Sequence, residues 1–195
     1  MPIRFAAVLT LCAAFAISAS AAAEVGKAAP AFAGTDVDGK AISLADFAGK
    51  TVVLEWMNPE CPFSGPRRFE TGAEQAQAAA LKEKKVQVVL ISSSSHLAAA
   101  ALKDYAAKQK ITSPIVVDQT GEIGKAYGAK TTPHCFVIGG DGSVVYAGAI
   151  DDDKDGAKGD KAMNYVDQAV DEHVAGTKLT QASTQPYGCS VKYAK

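Results

Sequence analysis

The 195-residue chain is nearly neutral, with 20 Lys and Arg against 21 Asp and Glu and a formal net charge of −1. This balance excludes the basic surface that nucleic-acid binding requires, so we expect no nucleic-acid partner. Hydrophobic residues make up 48% of the chain, enough for one domain to bury a core without cross-links.

The first 23 residues have the layout of a secretory signal peptide. Arg4 gives a basic start, an apolar run covers residues 5–17, and Ala21 and Ala23 fit the A-x-A cleavage pattern. The apolar run is shorter than the roughly 20 residues that span a bilayer, which disfavours an uncleaved anchoring helix. We therefore predict a secreted protein, most simply of the bacterial periplasm, with no membrane anchor after cleavage.

The rest of the chain alternates strand-like and helix-like segments. A D-G turn at Asp38-Gly39 separates two short extended pieces near the start. Residues 71–85 should form the first long helix, which a capping box of Thr71 and Glu74 would begin. Buried strands are predicted at 51–57, 86–92 and 114–118, helices at 71–85, 96–110, 121–129 and 163–176, and a β-hairpin at 134–150. This order predicts an α/β sheet covered on both faces, in one domain of residues 24–176 with a polar tail, 177–195.

Cysteine usage depends on the predicted export. Cys12 would leave with the signal peptide, so Cys61, Cys135 and Cys189 would remain. Outside the cytosol thiols tend to pair, and three is an odd number. One pair with one protected or reactive thiol is the simplest account.

Cys61 stands where a reactive thiol is expected. It directly follows a predicted core strand, and sites in α/β sheets collect at the carboxyl ends of strands. Pro62 favours the first position of a helix, and a helix N-terminus lowers a thiol pKa through its N–H groups and dipole. Arg67 and Arg68 could add positive potential. The alternative interpretation of Cys61 is an inert buried thiol.

Several segments carry a resemblance to a known family. The stretches "NPECPF" (58–63), "TTPH" (131–134) and "GCSVKY" (188–193) stand out, together with the opening from Gly26 and the hairpin that follows Pro133. Over about residues 26–175 the chain resembles the thioredoxin-like superfamily. Within it, the chain is similar to exported redoxins and to the peroxiredoxin-like family related to alkyl hydroperoxide reductase and thiol-specific antioxidant.

The resemblance implies a fold and two site residues. The fold is a thioredoxin-like central mixed sheet flanked by helices on both faces. Cys61 takes the position of the attacking thiol, and Pro133 takes that of the cis-proline that faces it. The resemblance implies no cofactor and no metal.

The chain departs from both templates of that superfamily. Thioredoxin-type exchange uses a resolving thiol three residues after the attacking one, where this chain has Ser64. Peroxiredoxins typically have Thr three residues before it, where this chain has Asn58, and an Arg on the strand of Pro133, whereas no Arg follows Arg68. The amide of Asn58 could still donate to a bound oxygen.

A resolving thiol must therefore come from elsewhere in the chain. Cys189 is the better candidate, because it lies in a polar tail and Gly188 allows a tight turn before it. Cys135 is the second, because strand alternation puts it on the same face as Pro133. Another pairing, or none, stays open, and a Cys61–Cys189 bond could also be a fixed structural disulfide.

Two further patterns have weaker functional interpretations. His134 could accept the proton of the attacking thiol, but alternation points it away from Pro133. The run Asp151–Gly156 copies the first half of a calcium loop, while Ala162 stands where the loop needs a bidentate Glu. We therefore expect a solvated acidic loop and no metal there.

Together these patterns predict a thiol-dependent oxidoreductase, with Cys61 as nucleophile and Cys189 as resolving thiol. Peroxide reduction is the first expectation, with an external thiol as the reductant. Thiol–disulfide exchange with a protein disulfide is the first alternative. A binding domain that kept the fold and lost the chemistry is the second.

Overall fold

A computed structural model describes residues 22–195. The signal peptide predicted for residues 1–23 therefore lies almost entirely outside the described residues. Among residues 22–195, no helix is long and apolar enough to cross a bilayer.

A mixed five-stranded sheet forms the centre of the fold. Its strands are β3 (Val52–Trp56), β4 (Gln87–Ser92), β5 (Ile115–Val117), β7 (Cys135–Ile138) and β8 (Val144–Gly148). Their spatial order is β5-β4-β3-β7-β8; the first three run parallel, while β7 is antiparallel to both β3 and β8. Each lies inside a predicted strand or hairpin segment.

Two small antiparallel ladders stand outside the central sheet. Strands β1 (Ala33–Thr35) and β2 (Ala41–Ser43) flank the predicted D-G turn. Strands β6 (Thr131–Thr132) and β9 (Cys189–Ser190) pair across almost sixty residues of chain. This second ladder brings the end of the chain to the segment that precedes β7.

The helices follow the predicted segments. They are α1 (Ala73–Glu83), α2 (Ala99–Gln109), α3 (Glu122–Tyr127) and α4 (Tyr165–Val174), with 3₁₀ turns at Leu44–Phe47 and Gly159–Lys161 and a π-helical turn at Gly65–Phe69. The predicted capping box at α1 is wrong. Gly72 is the N-cap and makes no side-chain bond, and the Glu74 side chain is buried.

Alternation along β3 divides the core between the two faces of the sheet. Val53 packs with residues of α1, α2 and α4 on one face, including Leu81 and Leu102. Leu54 and Trp56 pack on the other face with α3 and the β1–β2 hairpin. The predicted mixed sheet with helices on both faces is thus confirmed.

The C-terminal tail is bound to the fold along its length. The carbonyl of Ala182 accepts the N–H of Ala147 at 3.1 Å, on the outer edge of β8. Beyond β9, the N–H of Val191 donates to Lys130 at 3.1 Å, and the apolar side chain of Val191 is buried. Cys189 is therefore held between two attachment points.

Candidate functional site

The loop after β3 carries Cys61 and is shaped by Asn58. The side-chain oxygen of Asn58 accepts the N–H of Glu60 at 2.8 Å, and its carbonyl accepts the N–H of Cys61 at 3.1 Å. Asn side chains stabilise turns in this way. The structure therefore gives Asn58 a role in holding the loop, with its amide oxygen already engaged.

Ser64 supports the same loop from below. Its side chain is fully buried, and its hydroxyl accepts the N–H of Asn58 at 3.1 Å. The carbonyl of Cys61 accepts the N–H groups of Ser64 and Gly65 at 2.9 and 2.8 Å, so Cys61 opens a helical turn. A Cβ on Gly65 would lie 2.0 Å from the carbonyl oxygen of Pro59, so only glycine fits there.

Pro133 lies opposite Cys61, in the relationship that the resemblance implies. The Thr132–Pro133 peptide bond is cis. The Sγ of Cys61 donates to the carbonyl oxygen of Thr132 at 3.0 Å, and Cys61 is only 1% exposed. The Cys61 thiol thus lies against the segment that carries the cis-proline.

Cys189 completes the site from the other side. It faces Thr132 in the β6–β9 register, and the carbonyl oxygen of the same Thr132 accepts the hydrogen bond from the Cys61 sulfur. A Cβ on Gly188, which has φ of +125°, would lie 2.3 Å from the Thr132 carbonyl oxygen, so glycine is required. Both cysteines are thiols in this structure, Cys61 buried and Cys189 partly exposed.

The two thiols have different tendencies to ionise. Burial raises the pKa of Cys61, and hydrogen bonds from the side chains of Cys189 and Thr132 lower it. Further donation from the N–H groups of Cys189 and Phe63 brings the pKa of Cys61 below its ordinary value. The hydrogen bond that the Cys61 thiol donates to the Thr132 carbonyl favours a higher pKa, because only the protonated thiol can make it.

Cys189 shows the complementary behaviour. Burial, followed by the hydrogen bond and the negative charge of Cys61, raises the pKa of Cys189 to about 11. The favoured state of the ionised pair is therefore a Cys61 thiolate that accepts a hydrogen bond from a Cys189 thiol.

Cys135, the second candidate partner, lies in the core. It is fully buried on β7, among residues that include Val137 and Tyr146. Burial, with a smaller contribution from Glu55, raises the pKa of Cys135 well above its ordinary value. A thiol in such surroundings is chemically inert.

His134 is buried and structural. Its Nδ1 accepts the N–H of Lys130 at 3.2 Å, and its ring lies 4.6 Å from that of Phe136. Burial, together with the charge of Lys130, lowers the pKa of His134 to about 4. The imidazole is therefore neutral near pH 7 and already uses one nitrogen for the backbone.

Both arginines after Cys61 are engaged elsewhere. The guanidinium of Arg68 donates to both oxygens of Glu55, at 3.1 and 2.7 Å, in a buried ion pair. Arg67 lies 3.0 Å from the carboxylate of Asp153. Neither is among the groups that lower the pKa of Cys61, so the expected positive potential is not supported.

A set of four side chains, which we term the tail clamp, fixes the chain just before Cys189. It consists of Phe63, Arg67, Asp151 and Tyr187. The ring of Tyr187 packs edge-on against that of Phe63, with 6.0 Å between the ring centres. The guanidinium of Arg67 lies over the Tyr187 ring at 5.8 Å. The Tyr187 hydroxyl donates to the carboxylate of Asp151. Sequence reasoning missed the clamp, because nothing in the pattern around Tyr187 indicates partners this distant.

The acidic loop that resembles half a calcium site takes part in this arrangement. The carboxylate of Asp153 accepts the N–H of Lys158 at 3.0 Å and pairs with Arg67. That of Asp151 accepts the N–H of Asp153 at 2.8 Å. Within residues 22–195, no group of three or more His, Cys, Asp or Glu side chains is arranged to hold a metal ion.

A cleft of about 560 Å³ opens beside the tail clamp. Its walls include Thr131, Asp151, Tyr165, Tyr187 and Gly188, the residue that precedes Cys189 in the chain.

Comparisons with known proteins agree with this geometry. A model described as the AhpC/TSA family matches residues 25–147. The thiol-disulfide oxidoreductase ResA of Bacillus thuringiensis subsp. konkukian is 34% identical over 122 residues, which cover 63% of this chain and 68% of ResA.

Two solved structures show the fold. A hypothetical protein from Sinorhizobium meliloti 1021 has a TM-score of 0.73 at 22% identity, over 90% of this chain and 97% of that one. The thioredoxin domain of a thiol-disulfide oxidoreductase from Bacteroides vulgatus has a TM-score of 0.54 at 24% identity, over 64% and 87%. The predicted thioredoxin-like fold is confirmed, and the chain belongs to the AhpC/TSA family.

Proposed function

We propose that the protein is a thiol–disulfide oxidoreductase whose redox pair is Cys61 and Cys189. The observation that carries the proposal is that both cysteines meet at Thr132: Cys189 pairs with Thr132 in the β6–β9 ladder, and Sγ of Cys61 lies 3.0 Å from the Thr132 carbonyl oxygen. The similarity to a relative named thiol-disulfide oxidoreductase supports exchange better than our first expectation, peroxide reduction.

In the first step the Cys61 thiolate attacks one sulfur of a partner disulfide. A mixed disulfide forms on Cys61, and the second partner sulfur leaves with the electron pair of the broken bond. The lowered pKa of Cys61 supplies the thiolate, and the donors from Phe63 and Cys189 hold it in place.

In the second step Cys189 resolves the mixed disulfide. Its sulfur attacks Cys61, a Cys61–Cys189 disulfide forms, and the partner leaves with both sulfurs reduced. The negative charge of Cys61, which helps to raise the pKa of Cys189, is absent in the mixed disulfide. One cause of the raised pKa of Cys189 is therefore removed when its attack is required, while burial remains, and two electrons pass to the partner.

Peroxide reduction by the same pair is the second candidate, and the AhpC/TSA match favours it. The Cys61 thiolate would attack a peroxide oxygen to give sulfenic acid, and Cys189 would condense with it and release water. Against this, Arg67 and Arg68 are both engaged by carboxylates, so neither guanidinium is free to bind a peroxide beside Cys61.

Stopped-flow oxidation of the reduced protein by a model disulfide and by hydrogen peroxide separates the two reactions. We expect the disulfide to react faster and a peptide map to show a Cys61–Cys189 link. Cys61→Ser should abolish the reaction, Cys189→Ser should stop it at the mixed disulfide, and Cys135→Ala should leave it unchanged. Faster oxidation by peroxide would favour the second candidate.

The same protein tests the non-catalytic alternative. If Cys61 is alkylated no faster than an unfolded cysteine, and no linked peptide forms with either oxidant, the chain is a binding domain with an inert thiol. In that case the proposed exchange is wrong.

We also propose that the protein acts outside the cytosol, where a periplasmic environment lets thiols pair. The proposal rests on the signal-peptide pattern of residues 1–23. Mass spectrometry of the exported protein should find Glu24 as the first residue, and a chain that keeps residues 1–23 would contradict the proposal.

A further inference from the structure

The chain continues past Cys189 and crosses to the helix α3. After β9, the carbonyl of Lys192 accepts the N–H of Ser95 at 2.9 Å. Tyr193 comes next, and its partly buried ring packs with the core on the face of the sheet that α3 covers. The tail is therefore attached to the fold four residues beyond Cys189.

Two glycines at the start of α3 receive the Tyr193 ring, and we term them the glycine notch. A Cβ on Gly121, the N-cap of α3, would lie 2.5 Å from Cδ1 of Tyr193. A Cβ on Gly124, in the first turn, would lie 2.5 Å from the Tyr193 hydroxyl oxygen. Neither distance leaves room for a side chain, so any residue other than glycine at these positions would displace the ring.

Polar contacts fix the orientation of the ring within the notch. The Tyr193 hydroxyl donates to the carbonyl of Ala129 at 2.8 Å, and the ammonium of Lys125 lies over the ring at 5.9 Å from its centre. Burial, followed by the charge of Asp118, raises the pKa of Tyr193 to about 12, so the hydroxyl stays protonated and can donate. The side chain is thus held at its ring and at its hydroxyl.

The strand that carries Cys189 depends on such attachments. Strand β9 joins β6 through only two residue pairs, and a ladder this short is marginal in water. Every residue of the tail that becomes ordered also loses conformational entropy. The tail clamp holds the chain two residues before Cys189, at Tyr187, and the glycine notch holds it four residues after, at Tyr193.

We propose that Tyr193 is a positioning residue for the redox pair, which holds Cys189 beside Cys61 by binding in the glycine notch. The inference rests on the proposed function, and Tyr193 acts through β9, without contact to either sulfur. Because the Cys61–Cys189 bond can form only when the tail is bound, the equilibrium constant for closing it scales with the fraction of molecules whose tail is bound. Tyr193 therefore sets the effective concentration of the Cys189 thiol.

Glutathione separates the step that needs this positioning from the step that does not. In the first step the Cys61 thiolate attacks oxidised glutathione, forms a mixed disulfide, and releases one glutathione thiolate. In the second step the sulfur of Cys189 attacks that of Cys61, and the second glutathione leaves with the electron pair of the broken bond. The pair is oxidised by two electrons, and only the second step requires Cys189 to lie beside Cys61.

The test equilibrates the protein in glutathione buffers of fixed composition. Samples are quenched with acid, free thiols are blocked with N-ethylmaleimide, and mass spectrometry gives the ratio of the linked Cys61–Cys189 peptide to the glutathione adduct of Cys61. We expect Tyr193→Ala to lower this ratio about fivefold or more, because ring burial and the contact with Lys125 are both lost. Tyr193→Phe keeps the ring and should stay closer to the wild type.

A control variant separates positioning from a general loss of stability. Val86→Ala removes buried apolar volume at the start of β4, on the sheet face opposite to the glycine notch. It should lower the unfolding midpoint and leave the ratio within about twofold of the wild type, because the tail attachments are intact. A decrease in Val86→Ala as large as that in Tyr193→Ala would overturn the inference.

A second variant reaches the same contact from the other side, and it decides the question if Tyr193→Ala does not fold. Gly121→Ala fills the notch without changing the tail, and it should lower the ratio in the same direction. Its matched control is Gly72→Ala, the N-cap of α1, which has a similar positive φ, +81° against +73°, but no neighbouring atom within 4 Å of the added Cβ. Gly72→Ala should leave the ratio unchanged.

The outcomes distinguish this inference from the function on which it rests. A linked peptide that forms equally well in the wild type, Tyr193→Ala and Gly121→Ala would overturn the inference and leave the proposed function standing. Equal decreases in Gly121→Ala and Gly72→Ala would also overturn it, since backbone strain alone would then explain the effect. If the wild type forms no Cys61–Cys189 link in any buffer, the proposed function fails and this inference fails with it.

Discussion

The hydroxyl of Ser64 accepts a hydrogen bond from the backbone N–H of Asn58 at 3.1 Å, and both residues are buried beneath Cys61. Ser64 occupies the position that holds the second thiol in C-x-x-C proteins, and here it supports the loop that carries Cys61. Ser64 thus supports the loop, and the redox partnership that we propose belongs to a different residue, Cys189.

Replacement of Ser64 by Ala should therefore destabilise the protein without removing a redox group. The Asn58 N–H would lose its acceptor inside the protein, which costs about 1–3 kcal/mol. Guanidinium chloride unfolding of the reduced protein measures the loss. Ser183→Ala, at an exposed serine, is the matched control, and equal midpoints for the two variants would contradict the prediction.

Removal of the Cys189 donor should raise the pKa of Cys61. Cys189→Ala abolishes the side-chain hydrogen bond to the Cys61 sulfur, so the thiolate loses stabilisation and forms at higher pH. Cys189→Ser keeps an O–H donor and should give an intermediate value. The rate of iodoacetamide alkylation as a function of pH measures the midpoint.

These variants need one control for reactive thiols outside the pair. Both are made on a Cys135→Ala background in the protein that begins at Glu24 and so lacks Cys12, so that only Cys61 can react. An unchanged or lower midpoint in Cys189→Ala would show that Cys189 does not stabilise the thiolate.

Loss of the tail clamp should expose Cys61. Tyr187→Ala removes the contact with Phe63 and the cation–π contact with Arg67, together on the order of 1–2 kcal/mol. The open population should rise about 5- to 30-fold, which is what that free energy represents. The plateau alkylation rate of Cys61 at high pH, where the thiol is fully ionised, reports this population.

The pH profile of the same variant gives a second readout. A lifted tail no longer donates to Cys61, so the midpoint should move up while the plateau rises. Tyr187→Phe keeps the ring contacts and loses only the bond to Asp151, and should show a smaller effect. A plateau in Tyr187→Ala equal to that of the wild type would mean that the clamp does not gate access.

Glu74 should make the protein less stable as the pH rises through the range between about 4.5 and 7. Burial, followed by the charge of Glu55, raises the pKa of the Glu74 carboxyl from 4.5 to about 7. Between these values the unfolded chain has released the proton and the folded protein still holds it, so folding stability falls with pH.

Glu74→Gln removes this dependence. Above pH 7 the variant should gain stability relative to the wild type, by an amount on the order of 3 kcal/mol, and near pH 4 the gain should vanish. Unfolding by guanidinium chloride across pH 4–8 measures the difference. Glu83→Gln, exposed at the other end of α1, is the control, and parallel pH profiles for wild type and Glu74→Gln would contradict the prediction.

The sequence predicted the long elements well for a physical reason. Runs such as 51–57 and 86–92 are apolar because both sides of these strands are buried, so their composition alone predicts buried strands. Cys61 was singled out by its place after a core strand and before Pro62, whereas the cis-proline was expected mainly from the resemblance. The partner Cys189 was proposed from the chemistry that an attacking thiol needs.

The remaining features depend on contacts between distant residues. Strands β6 and β9 have two residues each, too few for a periodic pattern, and Tyr187 meets Asp151 across 36 residues of chain. The sequence pattern of Thr71 and Glu74 is the same whether the Glu74 side chain points to the helix end, as in a capping box, or into the core. Only the packing of α1 against the segment of Ser113, whose hydroxyl donates to Glu74 at 2.7 Å, decides between these positions.

The buried ion pair of Glu55 and Arg68 restricts how the site can open. Arg68 belongs to the π-helical turn that follows Cys61, and Glu55 belongs to the central strand. Displacement of that turn would leave the Glu55 carboxylate buried without its partner. Breaking a buried ion pair in this way costs about 3–5 kcal/mol of stability. The loop that carries Cys61 should thus stay rigid during the exchange that we propose, and any opening of the site should involve only the tail peptide that overlies it.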